Sequence, residues 1–162
     1  IMGENSSSEV LDIIVKDKGI GKLKSGDELI VRDTWGAIEY KGPGYIIAGG
    51  AGITPYIAML RELKKKNKLD GIKLFYSNKS DKDIILKEEL DTMLGKNATY
   101  VITDQKDTNF TNAYIDEDFL KKHIENFDEK FYVCGPPKMT EEIGDILEKL
   151  GADPDAVTLD DQ

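Results

Sequence analysis

The chain has 162 residues, 31 acidic against 22 basic, a formal charge of −9 and a hydrophobic share of 40%. Length and composition describe a globular chain with one principal core, and the acidic balance excludes a general nucleic-acid binder, whose affinity comes from neutralising phosphates. One cysteine, Cys134, excludes an internal disulfide and a cysteine-rich metal site, and one histidine, His123, leaves little for His-based chemistry.

Residues 1–8 read as a disordered tail, and the Ile1-Met2 start reads as cut or engineered. No apolar h-region opens the chain, and no apolar run approaches the roughly 20 residues needed to cross a bilayer. A cytoplasmic, reducing setting without membrane contact is the expectation. Glu9–Val15 and Asp27–Asp33 are rich in strand formers, with turns at Lys16–Lys22 and Ser25-Gly26 and a linker at Lys41–Gly44. Residues 9–43 therefore make a partial antiparallel β segment, too short to close a barrel. Its open edge is expected to pair with a second copy, giving a homodimer, or with another polypeptide.

From Tyr45 the pattern changes. Five short apolar runs, Tyr45–Ala48, Lys73–Ser77, Ala98–Thr103, Lys130–Cys134 and Ala156–Leu159, alternate with helical stripes. The stripes are Tyr56/Met59/Leu60/Leu63, Leu86/Leu90/Met93/Leu94, Ile115/Phe119/Leu120 and Met139/Ile143/Ile146/Leu147/Leu150, with Gly95 and Gly151 at helix C-caps. The pattern predicts an α/β fold over residues 44–162: a five-stranded parallel sheet with helices on both faces. Ligands of such sheets bind beyond the carboxyl ends of the strands.

Three strand ends carry unusual residues. Gly49-Gly50-Ala51-Gly52 stops the first run, and Thr54 and Pro55 are expected as N-cap and first residue of a helix. Glycines let a phosphate reach the backbone, and the helix terminus favours its charge; an ordinary tight turn would look the same. The second run ends in Ser77-Asn78-Lys79, hydroxyl, amide and ammonium suited to a ribose or its phosphate, or simply a solvated loop. The fourth ends in Cys134-Gly135-Pro136-Pro137-Lys138-Met139. Pro137 can open a helix and Gly135 lets a flat ligand approach, although a buried structural cysteine is the usual fate of a lone one. His123, at the far end of a helix, reads as a surface residue.

Gly49–Pro55 followed about 80 residues later by Cys134–Met139 resembles the ferredoxin–NADP reductase family. Lys24–Leu29 with Trp35-Gly36 resembles the end of that family's flavin-binding barrel, and Tyr76–Lys79 with Asp83–Ile85 and Glu88–Leu90 its second βα unit. The resemblance implies a barrel remnant over residues 9–43 and a nicotinamide-nucleotide domain over 44–162. It implies that Gly49, Gly50, Ala51, Gly52, Thr54 and Pro55 hold the diphosphate of NADPH or NADH. Ser77, Asn78 and Lys79 would meet the adenosine ribose, and Cys134, Gly135, Pro136 and Met139 would surround the nicotinamide. Cys134 and Thr54 are the implied catalytic residues, passing hydride to FAD and electrons to an acceptor such as ferredoxin or flavodoxin. An acidic acceptor would need a local basic patch on this acidic chain, for which the stretch Arg61–Lys68 is the candidate. The chain departs from the family in its flavin contacts: no arginine precedes Arg32, the loop Lys18–Lys22 lacks a hydroxyl, and Leu159–Gln162 lacks an aromatic residue. A reductase part, a non-catalytic nucleotide module and a scaffold without flavin all stay open at this point.

Overall fold

The computed structural model describes residues 38–161, together with the backbone of residues 2–3 and 11–12. Met2–Gly3 (β1) pairs antiparallel with Leu11–Asp12 (β2). Beyond these strands, the expectations for residues 1–37 lie outside the described residues.

Six parallel strands form the body of the fold: Gly44–Gly49 (β3), Ile72–Asn78 (β4), Ala98–Ile102 (β5), Thr111–Asn112 (β6), Lys130–Gly135 (β7) and Val157–Asp161 (β8). Their order is β6-β5-β4-β3-β7-β8. The five expected runs are all strands. β6 is the addition, two exposed residues paired with Val101 and Ile102 at the sheet edge. Such a pair buries nothing and leaves no apolar signature in the sequence.

β3 is central because its residues are apolar on both faces. Ile46 and Ala48 enter one core, with Tyr56, Ile57 and Leu60 of the helix Thr54–Lys65 (α1) and Leu90 and Leu94 of Lys87–Leu94 (α2). Tyr45 and Ile47 enter the other, with Phe119 and Leu120 of Glu117–His123 (α3) and Ile143 and Leu147 of Pro137–Lys149 (α4). Each buried Ile or Leu contributes roughly 1.5–3 kcal/mol. A chain that runs outward from β3 through β4 to β6, then returns to β7 on the other side, has its switch point at β3.

Several local expectations shift. Thr54 is not the cap of α1: a 3-10 turn, Gly50–Ile53, runs straight into the helix, so Ile53 occupies the cap and Pro55 falls within the first turn. Leu86 stands before α2 at φ +50 and is 41% exposed, so the stripe starts with Leu90. His123 is half-buried, stacked 4.1 Å from Phe119 and edge-on to Phe75 at 5.9 Å. Lys41–Gly44, read as a linker, is strapped to the sheet. The Tyr132 hydroxyl donates to the Gly42 carbonyl (2.7 Å) and accepts from the Lys41 N–H (2.9 Å). Among the described residues no helix is long and apolar enough to cross a membrane.

α3 and α4 are joined by one carboxylate. Glu117 accepts from Lys121 Nζ and Lys149 Nζ, each at 2.6 Å, and these ammonium groups lower its pKa from 4.5 to about 2. A carboxylate depressed on folding stabilises above its unfolded pKa and loses that contribution as pH falls through the folded value. Thermal melts of Glu117→Gln are therefore expected to show lower stability than wild type at pH 7, with the two curves converging between about pH 4.5 and pH 2. Parallel curves across that range would contradict the assignment.

Candidate functional site

The register of β3 sets the site. Gly49 lies opposite Ser77 of β4, and Ala48 lies opposite Cys134 of β7. Three strand ends expected separately from the sequence therefore meet at one edge. The two glycine-bearing turns are also in contact. A Cβ at Gly135 would sit 3.2 Å from the Gly49 Cα, and one at Gly49 would run into the Met139 thioether and lie 3.0 Å from Pro136 Cδ. A Cβ at Gly52 would collide with the Cys134 carbonyl. These glycines are required for close packing between turns. Gly50 differs: at φ +53 it faces open space, the conformation that glycine adopts without strain.

The Tyr76 hydroxyl donates to the Gly50 carbonyl (2.9 Å) and accepts from the Ile85 N–H (3.4 Å), tying the glycine turn to the loop after β4. Burial pushes this phenol up to about 12, against the smaller opposing pull of the Ile85 N–H and the nearby Asn78 amide. No acidic side chain occupies the first turn of α1 and no side chain caps it. Its N-terminal N–H groups are thus not spoken for by a local carboxylate.

Between these elements lies a hollow of about 390 Å³. Gly49, Gly50 and Ala51 form one side, Ser77, Asn78 and Lys79 a second, and Pro136 and Met139 a third. Asn78 is 5% exposed; its amide lies close enough to the Tyr76 hydroxyl to lower that phenol's pKa, yet neither its oxygen nor its nitrogen meets hydrogen-bond geometry with it or with another described residue. Buried polar groups are nearly always paired, and leaving them unpaired costs about 1–3 kcal/mol. Gly52, Thr54, Pro55, Cys134 and Gly135 are not on the wall of this hollow. Cys134 is fully buried in the α1-side core, its thiol 3.9 Å from Asp160 Oδ2, and the Tyr56 hydroxyl of the same cluster is unpartnered, its pKa raised by burial.

Sequence reasoning missed Asp83, Ile85 and Thr103, which complete the hollow. It also missed a wider groove of about 960 Å³ that shares Ser77, Lys79, Thr103, Pro136 and Met139 with the hollow. There Tyr114, 67% exposed, and Ile115 face Ile143 and Ile146 of α4. Thr103 closes the third apolar run, so the strand-end rule could have found it. An isolated exposed tyrosine between strand and helix carries no such signal.

The candidate docking patch is elsewhere. α1 carries Lys64 and Lys65 at its far end, about 18 Å from the glycine turn at 1.5 Å per residue. Arg61 is held bidentately by Glu89 at 2.7 and 2.9 Å, and Lys66 pairs with Glu62 at 2.9 Å.

Residues 46–145 match the family described as "Oxidoreductase NAD-binding domain". NADH-cytochrome b5 reductase 2 of Mycosarcoma maydis is 32% identical over 182 residues, covering 91% of this chain and 52% of that protein. A component of the Na(+)-translocating NADH-quinone reductase of Pasteurella multocida is 28% identical over 160 residues, covering 88% of this chain and 39% of that protein. The chain thus spans about half or less of the length of these relatives. Among solved structures, the FAD/NAD-binding domain of nitric oxide dioxygenase from Vibrio cholerae superposes with a TM-score of 0.69 at 22% identity, covering 81% of this chain and 55% of that one. A ferredoxin NADP+ reductase from Neisseria gonorrhoeae gives 0.62 at 18% identity, covering 72% and 55%. At such identities the structures establish the shared fold. The family match extends over more than half of the sequence and includes all three converging strand ends: the chain belongs to the oxidoreductase NAD-binding domain family.

Proposed function

We propose that this chain binds NADH across the carboxyl ends of β3, β4, β5 and β7 and orients it for hydride transfer to FAD, the electrons passing on to a carrier such as ferredoxin, flavodoxin or a cytochrome b5. The observation that carries the reading is the buried carboxamide of Asn78 at the wall of the hollow, which falls short of hydrogen-bond geometry even with the nearby Tyr76 hydroxyl. A ribose diol offers both the donor and the acceptor that this amide lacks. The diphosphate then falls at Gly50, where the open backbone and the start of α1 favour negative charge. The adenine extends into the groove and lies on Tyr114, a flat apolar surface with a wet edge. Pro136 and Met139 bound the nicotinamide end.

Cys134 acts from behind this wall. Cys134 supplies the backbone on which Gly52 seats, and so aligns the two turns. When bound, the coenzyme supplies the hydride; the protein's part is orientation and exclusion of water. The loop expected to touch flavin, residues 18–22, lies outside the described residues. A single buried cysteine suits a reducing cytoplasm. The expected homodimer rests on strands outside the described residues and forms no part of the proposal.

NADH is favoured over NADPH because Lys79 and Asp83 are the charged residues at the hollow, and among the described residues no arginine fork stands there to hold a 2′-phosphate. Asp83 Oδ2 is fixed at the rim by the Ser80 N–H (3.0 Å) and hydroxyl (2.8 Å).

Titration of the purified protein with NADH, followed by coenzyme fluorescence, tests the site. Asn78→Leu keeps the branched shape of the side chain and removes the amide. It is expected to raise the NADH dissociation constant about tenfold while leaving the melting temperature unchanged or higher, since two unpaired buried groups disappear. An unchanged dissociation constant would remove the proposal's main support. Wild type is expected to bind NADH more tightly than NADPH, and Asp83→Asn to narrow that ratio several-fold by removing the carboxylate that repels a 2′-phosphate. A wild-type preference for NADPH would reverse the assignment.

A further inference from the structure

We infer that the loop between β5 and β6 is a hydrogen-bonded latch that positions Asn78 and Lys79 for the adenosine end of the nucleotide, with Asp81 as its keystone. The inference rests on the nucleotide-site reading above and adds positioning residues to it.

The backbone of residues 78–79 is held from one side. The Asn78 carbonyl accepts from the Thr103 N–H (3.0 Å) and hydroxyl (3.4 Å). The Lys79 carbonyl accepts from the Asp104 and Gln105 N–H groups (3.1 and 3.2 Å). Both carbonyls are thus committed to the neighbouring loop, while the Asn78 amide, with the Tyr76 hydroxyl nearby, completes no hydrogen bond. Such a division fixes where these side chains start and leaves the Asn78 head group to a ligand.

Asp81 locks this loop against the loop after β4. Its N–H donates to Gln105 Oε1 (3.0 Å), and its Oδ2 accepts from Gln105 Nε2 (3.2 Å), so residue 81 holds both ends of one carboxamide. Its Oδ1 accepts from the Thr108 hydroxyl at 2.6 Å. Hydrogen bonds to an ionised acceptor are about twice as strong as neutral ones. The latch is anchored beyond Thr108 as well. The Phe110 N–H donates to Thr108 Oγ1 (3.1 Å), and the Phe110 ring meets Tyr100 edge-on at 5.5 Å. Asn112 Nδ2 closes the far end on the Ile102 and Gln105 carbonyls (3.1 and 2.9 Å).

A latch of this kind acts on one end of the coenzyme only, which gives the test. Dissociation constants are measured for NADH, 5′-AMP and reduced nicotinamide mononucleotide with wild type, Asp81→Ala, Thr108→Val and Thr108→Ser, alongside melting temperatures. Asp81→Ala and Thr108→Val are expected to weaken NADH and 5′-AMP about tenfold and to leave the mononucleotide unchanged. Thr108→Ser keeps the hydroxyl and is expected to bind like wild type. If wild type binds and Asp81→Ala and Thr108→Val match it, or if the mononucleotide weakens in parallel, the latch is overturned while the nucleotide site stands. If wild type binds neither NADH nor 5′-AMP, the nucleotide reading falls first and the latch with it.

Discussion

The structure depends on how closely two backbones approach at the carboxyl ends of β3 and β7. Gly49 and Gly135 face each other with no room for a side chain, and Gly52 sits on the Cys134 carbonyl. A larger residue at Gly52 would have to displace backbone, and one at Gly49 would run into the Met139 thioether and the Pro136 ring; interiors relax poorly to such demands. The approach turns two sequence motifs into one wall and leaves the third, at β4, free to complete the hollow. Gly50 is the exception that supports the same arrangement: it alone of the turn's glycines has empty space above it, on the side where a ligand would lie.

Charge follows from that geometry. A chain of net charge −9 still offers a helix start without a carboxylate and a lysine at the rim of the hollow. The hollow itself carries one lysine and one aspartate, Lys79 and Asp83, and so lacks the acidic excess of the whole molecule. Several acidic residues elsewhere are tied up: Glu117 by two lysines, Glu89 by Arg61, Asp81 by Gln105 and Thr108.

Most of the fold was legible because burial on both faces leaves a continuous apolar run, as in Tyr45–Ala48, and because α4 carries a clean stripe. The glycine motifs were legible for a steric reason, since only glycine fits where turns touch. What stayed hidden had no periodic or steric mark. β6 is two exposed residues; Leu86 belongs to a turn although its spacing fits a helix; Thr54 lost its cap because a 3-10 turn extends the helix backwards. Ser77–Asp81 also reads as a solvated loop, and the partners of Asp81, Gln105 and Thr108, lie more than twenty residues on, so their network exists only in three dimensions. Tyr114 was missed for the same reason: its value lies in the groove beside it.

The central position of β3 also has a consequence for how the chain acquires its shape. β3 is laid down early, yet its partner β7 arrives late; the bonds that strap the two together, such as Tyr132 to Gly42, join residues 90 positions apart. Closing so long a loop is entropically slow, and nothing resembling a binding edge exists until it is done. Ligand occupancy would then report completed folding rather than local order, and a chain interrupted before Gly135 would hold an intact β3 turn with nothing to face it.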